Sequence, residues 1–218
     1  MEHDLQALYR RRAADWRKAV SPYVRDAARS GFPSIAVLAA IVLLSGYTAF
    51  LEDVPENFPI IAVGTVLMTP LLLLSPLRTY LRPADAVFLM PREREMGRYM
   101  MSARRRGYMA GSALMLAAWL LYVPLYRQSG APTDAAALVP ALLAVKALGD
   151  AGAWRERCMV YGRARRLCRL LRAALTLAAV IALLTWPLAP AIGVAAGAAA
   201  LQAAVCRLPD RHRFPWER

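Results

Sequence analysis

The sequence predicts an all-α, polytopic membrane bundle of about six transmembrane helices. Long apolar stretches recur along the chain, and arginine-rich blocks occupy every second gap between them. Of the 28 Lys and Arg residues, seven precede residue 32, eight lie at 78–106, seven at 155–172 and four at 207–218. Because Lys and Arg are retained in cytoplasmic loops, this pattern predicts a multi-pass protein with both termini in the cytoplasm.

The composition also favours a membrane protein. Hydrophobic residues make up 58% of the 218 residues, and the mean hydropathy is positive, which is unusual for a soluble domain. A net charge of +13 is also typical of nucleic-acid-binding proteins. Topology already explains the arginine blocks, however, and the apolar stretches between them require burial. We therefore predict no nucleic-acid partner, and expect the arginines to meet anionic lipid headgroups.

Span lengths set the predicted domain organisation. Crossing about 30 Å of hydrocarbon takes roughly 17–25 helical residues. The stretch 173–206 is too long for one crossing, and Trp186-Pro187-Leu188-Ala189-Pro190 breaks it, which indicates a tight helical hairpin. The predicted transmembrane domain, 32–206, follows a cytoplasmic amphipathic helix at 1–31 and precedes a cytoplasmic tail at 207–218. Its spans are placed at about 32–51, 58–74, 108–126, 131–148, 173–187 and 190–206, with cytoplasmic loops at 75–107 and 149–172.

The segment before the first span has an apolar stripe at helical spacing, with arginines largely off the stripe. Such a helix can lie in the membrane interface, dock on a cytoplasmic partner, or do both. The stripe comprises Leu5, Leu8, Tyr9, Trp16, Val20, Tyr23, Val24 and Ala27.

The loop 75–107 contains an apolar patch, Val87–Met90, between two prolines. Such a patch needs a cover, which the protein's own helices, the membrane surface or another subunit can supply. Pro91 is predicted to begin a helix with Arg104–Arg106 near its negative end. The apolar face of that helix consists of Met96, Tyr99, Met100 and Ala103.

The loop 149–172 is predicted to extend the flanking spans as helix, with its arginines facing lipid headgroups or a partner. Lys146 lies within a turn of the predicted cytoplasmic end, so its side chain is expected to reach the interface. The cysteines fall on or near the cytoplasmic side, where thiols stay reduced. No Cys or His pair has the spacing of a zinc site, so neither a metal nor another cofactor is predicted.

The run from Leu77 to Pro91, Leu-Arg-Thr-Tyr-Leu-Arg-Pro-Ala-Asp-Ala-Val-Phe-Leu-Met-Pro, resembles the EcsB family, the permease subunits of Ecs-type bacterial ABC transporters. The resemblance extends to the opening helix with its Ala-Ala-Arg-Ser-Gly exit at 27–31, the acidic loop after the first span, and Arg213–Glu217 near the end. Members of the family look longer, so a chain that stops at Arg218 is expected to be a truncated, split or fragmentary member.

The resemblance implies a membrane permease in the bacterial inner membrane that couples to a separate cytoplasmic, EcsA-like ABC ATPase. It implies export of a peptide, a protein or another amphipathic cargo, and a homodimer or a second permease half. No Gly-x-x-x-x-Gly-Lys-Ser/Thr loop occurs, so ATP is expected to be bound and hydrolysed by the partner, not by this chain. The implied ATPase-coupling residues are Arg78, Arg82, Asp85, Phe88, Leu89 and Pro91.

Two other function classes make different demands on the sequence. A membrane-embedded enzyme needs ionisable or nucleophilic groups at an interior site, and the chain has no Gly-x-Ser-x-Gly or His-Glu-x-x-His motif. A membrane scaffold or regulator would use small residues for close helix packing, which Gly107-x-x-x-Gly111 and Gly193-x-x-x-Gly197 permit. Packing within the bundle explains the same glycines.

Overall fold

The computed structural model describes residues 3–81 and 96–207. Five helices in these ranges are long and apolar enough to cross a membrane, and the chain is an all-α polytopic membrane protein. We number the helices of the described residues α1 (His3–Arg29), α2 (Phe32–Glu52), α3 (Ile60–Leu73), α4 (Met96–Gln128), α5 (Ala135–Arg157), α6 (Gly162–Thr185) and α7 (Leu188–Val205).

The chain divides into two compact units. The first contains α1, α2 and the short segment Thr79–Leu81. Within it, Tyr9 and Ala13 of α1 are buried, whereas Tyr23 and Val24, farther along the predicted stripe, are exposed. The N-terminal half of the stripe therefore packs within this unit, and the C-terminal half does not.

Helix α2 is apolar on every side. None of its 21 residues is buried in the structure. An apolar helix without a polar face is suited to lipid, since only a hydrocarbon environment removes all of its faces from water. Phe50 near its end packs edge-on against Phe58, with ring centroids 5.1 Å apart.

The second unit contains helices α3 to α7. Its core is formed by fully buried side chains from four of these helices. Helix α3 is short, at 14 residues, and its first carbonyl accepts a hydrogen bond from α4, where the Tyr122 hydroxyl donates to Ile60 O at 2.9 Å. The core includes Met68, Leu72, Met115, Trp119, Leu138, Leu142 and Leu183.

Helix α4 corrects one prediction. The sequence predicts a helix end near Arg104–Arg106, but α4 continues without a break to Gln128, so these arginines lie in mid-helix. Gly107 and Gly111 are poor helix formers, but the side chains that follow, such as Met115 and Trp119, are buried against the other helices, and tertiary packing of this kind overrides local propensity. The apolar face is confirmed: Met96, Tyr99, Met100 and Ala103 are all buried.

The connections after α5 are short. Helix α5 ends at Arg157 and α6 begins at Gly162, so most of the predicted loop 149–172 is helix that extends its neighbours. Helix α6 ends at Thr185 and α7 begins at Leu188, within the proline-containing stretch at which the sequence predicts a hairpin.

Candidate functional site

The end of α3 is held by basic side chains from two other helices. The last carbonyls of a helix have no partner within that helix. Here three side chains of α5 and α6, which we call the basic cluster, donate to four consecutive carbonyls. Lys146 Nζ donates to Leu72 O at 3.4 Å and to Leu74 O, Arg172 Nη1 to Leu73 O at 3.3 Å, and Arg157 Nη2 to Ser75 O at 2.9 Å.

This arrangement places positive charge at the negative end of the α3 dipole, which is the favourable sense. The four carbonyls also mark the point at which the chain leaves α3 and enters the loop 75–107. Each carbonyl is therefore a contact between the start of that loop and α5 or α6.

Two carboxylates neutralise most of the basic cluster. Lys146 Nζ lies 3.1 Å from Asp150 Oδ1, one turn along α5. Arg172 forms a two-pronged pair with Glu156, with Nε–Oε1 at 2.7 Å and Nη2–Oε2 at 3.2 Å. Lys146 is 0% exposed and Glu156 3%. Buried charges are tolerated only when they are paired and hydrogen-bonded in this way.

Glycines make room for the basic cluster. A Cβ at Gly107 would collide with the carbonyl oxygen of Pro76, and one at Gly111 would lie 3.0 Å from Lys146 Cε. A Cβ at Gly152 would collide with the side-chain amide of Gln202 and lie 3.3 Å from Arg172 Cδ. The Gly107-x-x-x-Gly111 pair thus packs inside the second unit.

Gly193 and Gly197, by contrast, face open space. Among the described residues, no atom lies within 4 Å of the position that a Cβ would take at either glycine. The second small-residue pair makes no close helix contact there.

The prediction for Lys146 is wrong. Its side chain does not extend to the interface, because Asp150 and the end of α3 provide partners inside the protein. A signal was present in the sequence: only three acidic residues occur between 107 and 207, and Asp150 and Glu156 are two of them. A carboxylate four residues after a lysine on a helix also indicates an ion pair.

Of the six coupling residues implied by the family resemblance, the structure describes only Arg78, which is exposed. Arg82, Asp85, Phe88, Leu89 and Pro91 lie outside the described residues. The structure therefore neither brings these six together nor separates them.

Tyr80, two residues after Arg78, is held within the first unit by α1. Its ring centroid lies 5.7 Å from that of Tyr9 and 6.0 Å from that of Trp16, and Arg12 Nη1 donates to Tyr80 O at 3.3 Å. Tyr80 has φ 52°, in the left-handed region that non-glycine residues seldom adopt. We call Tyr9, Trp16 and Tyr80 the aromatic cluster.

A small sulfur-containing cluster connects the α5–α6 turn, α6 and the residue after α7. Met159, Cys168 and Cys206 are buried together, and Cys206 lies one residue beyond α7. Burial, with a hydrogen bond from Cys168, raises the pKa of the Cys206 thiol to about 12. Among the described residues, no three His, Cys, Asp or Glu side chains are grouped so that they could hold a metal ion.

Comparisons with known proteins give a family. The profile of the family described as "Bacterial ABC transporter protein EcsB" matches residues 6–218. Protein EcsB of Bacillus subtilis (strain 168) is 32% identical over 126 residues, which cover 55% of this chain and 31% of that relative. The match thus spans about a third of the relative's length. No solved structure gives a significant match.

The family profile covers almost the whole chain, including every helix of the bundle and the segment that joins α3 to α4. The prediction made from the Leu77–Pro91 run is therefore confirmed at the level of the family. The chain belongs to the EcsB family of bacterial ABC transporter proteins.

Proposed function

We propose that this chain is a membrane-embedded permease subunit of a bacterial ABC transporter and is moved by a separate cytoplasmic ATPase that docks on the loop 75–107. Family membership supports the transporter class. The observation that carries the coupling role is the hydrogen bonding of the basic cluster to the carbonyls of Leu72–Ser75.

The proposed mechanism follows from where those carbonyls lie along the chain. The ATPase would contact Phe88 and Leu89 through apolar burial, with Arg78 and Arg82 near acidic groups at the rim and Asp85 and Pro91 shaping the turn. A displacement of the loop would act on the backbone at Ser75 and Leu74. Because Arg157 and Lys146 bind these carbonyls, α5 would move with the loop, and Arg172 would extend the motion to α6.

The aromatic cluster supports a second part of the proposal. Tyr80 lies between Arg78 and the rest of the coupling loop, and α1 contacts both its ring and its carbonyl. We infer that α1 anchors the chain at Tyr80, immediately before the proposed docking residues. This gives the N-terminal helix a role in presenting the loop as well as in contacting the membrane surface.

Both termini are proposed to be cytoplasmic, in agreement with the placement of the arginine blocks. The proposed cargo is an exported peptide, protein or other amphipathic molecule. ATP binding and hydrolysis are assigned to the partner subunit, and two permease halves would be needed to match two ATPase domains. The alternative is a membrane scaffold that recruits other proteins without transporting anything.

Co-purification tests the proposal. The tagged chain is expressed with the ATP-binding protein encoded beside it, solubilised in mild detergent and compared with Phe88→Asp plus Leu89→Asp. The matched control is Phe88→Tyr plus Leu89→Met, which keeps the patch apolar. Wild type and control should recover the ATPase, and the aspartate variant should lose at least about 90% of it, because burying two carboxylates in an apolar contact is costly.

Each variant must reach the membrane and elute as a single species for the comparison to count. If correctly inserted wild type recovers no ATPase, the permease proposal fails and the scaffold alternative is favoured. If the aspartate variant recovers as much ATPase as wild type, the docking site lies elsewhere on the chain.

A further inference from the structure

A cleft lies beside the basic cluster, between α4 and α5, and has a volume of about 300 Å³. This is at the lower end of the roughly 300–1,000 Å³ typical of small-molecule sites, which suits a ligand the size of a headgroup. Its α4 residues have the i, i+3, i+4, i+7 spacing of a single helix face. The lining residues are Met101, Arg104, Arg105 and Tyr108 from α4, and Ala147 and Asp150 from α5.

The charge of the cleft favours an anion. Arg104 and Arg105 both line it, and the Arg104 guanidinium is positioned over the Trp154 ring, 5.9 Å from its centroid. Asp150 is the acidic residue of the lining, and Lys146 neutralises it at 3.1 Å. Arg104 and Arg105 therefore give the lining of the cleft a net positive charge. The planar guanidinium group also matches the geometry of phosphate oxygens.

The remaining walls favour a ligand with a hydrocarbon part. Met101 is 68% exposed and Ala147 is also exposed, so they present apolar surface at the mouth of the cleft. The Tyr108 hydroxyl donates to Leu143 O at 3.3 Å, which ties α4 to α5 one turn beyond the cleft. The apolar stretch of α4 that follows Arg104–Arg106 begins at Tyr108, and Arg and Tyr side chains at such a boundary are expected at headgroup depth.

We propose that the α4–α5 cleft binds the phosphate-containing headgroup of an anionic membrane lipid. Arg104 and Arg105 donate to the phosphate oxygens, and the start of an acyl chain lies against Met101 and Ala147. Basic pockets between transmembrane helices are known to hold such headgroups. This proposal does not depend on the transport function or on an ATPase partner.

Native mass spectrometry tests the proposal directly. The full chain, purified in mild detergent, is titrated with phosphatidylglycerol and, separately, with phosphatidylcholine. Wild type should retain phosphatidylglycerol in preference. Arg104→Gln plus Arg105→Gln should raise its dissociation constant about 30-fold, since each arginine near an anionic lipid contributes roughly 1 kcal/mol, or a factor of about five.

The matched control is Arg163→Gln plus Arg166→Gln, which removes the same charge from exposed positions on α6. It should change the dissociation constant less than about threefold. Ala147→Trp, at an exposed position, should abolish retention by filling the cleft while leaving every charge in place. This second variant keeps the test valid if the double arginine variant folds poorly.

Several outcomes would overturn the proposal. Equal losses in the two arginine variants would mean that binding follows net charge, and unchanged retention in Ala147→Trp would place the lipid elsewhere. Equal retention of phosphatidylcholine would remove the requirement for an anionic lipid. Inorganic phosphate is the third ligand: if micromolar phosphate displaces the lipid completely, the site is for a soluble phosphate compound and the lipid assignment is wrong.

Discussion

The ion pair between Arg172 and Glu156 is a buried, two-pronged contact between α6 and α5 of the second unit. Glu156 is 3% exposed, and the pair is two-pronged. A buried pair adds little relative to a well-packed apolar pair, but loss of one partner leaves a charge buried without compensation. The consequence of a substitution thus depends on whether one or both residues change.

We expect Glu156→Gln to destabilise the protein less than Arg172→Ala does. Arg172→Ala removes the hydrogen-bond donor both of the Glu156 carboxylate and of Leu73 O. Arg172→Ala should cost about 3–5 kcal/mol and lower the apparent Tm in detergent by about 6–20 °C. Thermal unfolding monitored by size-exclusion chromatography measures this. Arg169→Ala, at an exposed position one turn away, is the control and should shift Tm by no more than about 2 °C.

The double variant Arg172→Met plus Glu156→Met removes both charges at once. It distinguishes the contribution of the ion pair to the free energy of unfolding from the cost of leaving one partner unpaired. It should recover much of the loss seen in Arg172→Ala, because neither partner of this pair then leaves a charge buried without its counter-ion. An Arg172→Ala protein with the Tm of wild type would contradict the buried pair altogether.

Cys206 gives a prediction about pH. Its pKa is raised from 9.0 to about 12, first by burial and then by the hydrogen bond with Cys168. The thiol therefore stays protonated in the folded protein through the pH range in which an ordinary cysteine ionises. At pH 10 a thiol with the ordinary value is mostly thiolate, whereas Cys206 should remain mostly protonated.

Alkylation of the native protein with iodoacetamide at pH 8 and pH 10, followed by peptide mapping, measures this. Cys206 should remain unmodified at both values, and a Ser30→Cys variant supplies an exposed thiol as the reactive control. Since the unfolded thiol ionises above pH 9 and the folded one does not, the stability of the fold should fall as pH rises from 9 towards 12. Rapid labelling of Cys206 at pH 10 in folded protein would refute the shift.

At the scale of elements, the glycines of α4 determine how closely the chain after α3 approaches that helix. A Cβ at Gly107 would collide with Pro76 O, which is backbone and cannot rotate away. By contrast, a Cβ at Gly197 on α7 meets nothing within 4 Å. Both residues are glycines within helices, but Gly107 is in close contact with another segment and Gly197 is not.

We therefore expect Gly107→Ala to displace the segment at Pro76 and to cost about 1–3 kcal/mol, the usual range for an overpacked site. Gly197→Ala should be neutral or stabilising by up to about 1 kcal/mol, since alanine is the better helix former. Thermal unfolding of the two variants under the same detergent conditions compares them. Equal stability of both would show that α4 does not pack against the chain at Pro76.

How far the sequence predicts the structure differs between elements and side chains. Apolar length and the positions of arginine identify α2 and α5 to α7, and the stripe at Met96–Ala103 predicts the buried face of α4. These signals are local and periodic. The basic cluster was missed because it joins residues about 70 to 100 positions apart, such as Lys146 with Leu72 and Arg172 with Leu73.

Arg172 shows why an arginine at the end of a span can be misinterpreted from sequence. Arginine there is usually a topology signal, since the charge stays outside the hydrocarbon. Arg172 instead forms a buried ion pair with Glu156, which packs beside it in the fold. No local sequence pattern predicts this contact. The same holds for Tyr80, whose partners on α1 lie more than 60 residues earlier.

At the scale of the whole molecule, the number of crossings depends on α3. With 14 residues at 1.5 Å each, α3 is about 21 Å long, less than the roughly 30 Å hydrocarbon thickness. Within residues 3–81 and 96–207, five helices satisfy the length requirement by themselves. An odd number of crossings would put the termini on opposite sides, and six would put them on the same side.

The packing of α3 favours six crossings. Its first carbonyl, at Ile60, accepts from Tyr122 near one end of the apolar part of α4, and the chain directly after α3, at Leu74 and Pro76, lies beside Gly111 and Gly107 near the other. Helix α3 therefore spans the same depth as residues 107–122 of α4, which runs antiparallel to it. A short helix that covers the depth of a full span can cross where its flanking residues complete the distance or the bilayer thins.

Single-cysteine labelling of intact cells tests this count. The three native cysteines are buried, so each reporter is added to a background in which they are replaced by alanine. An impermeant maleimide should react from outside with the variants Glu56→Cys, Ser129→Cys and Pro187→Cys. It should react with Ser30→Cys, Tyr161→Cys and Arg207→Cys only after the cells are opened.

Other labelling patterns would contradict this topology. External labelling at both position 129 and position 161 would remove α5 as a crossing, and labelling at position 30 but not at position 56 would reverse the orientation. Protection at position 56 as well as at position 30, while position 129 still labels, would instead mean that α2 does not cross and that only one of α3 and α4 does.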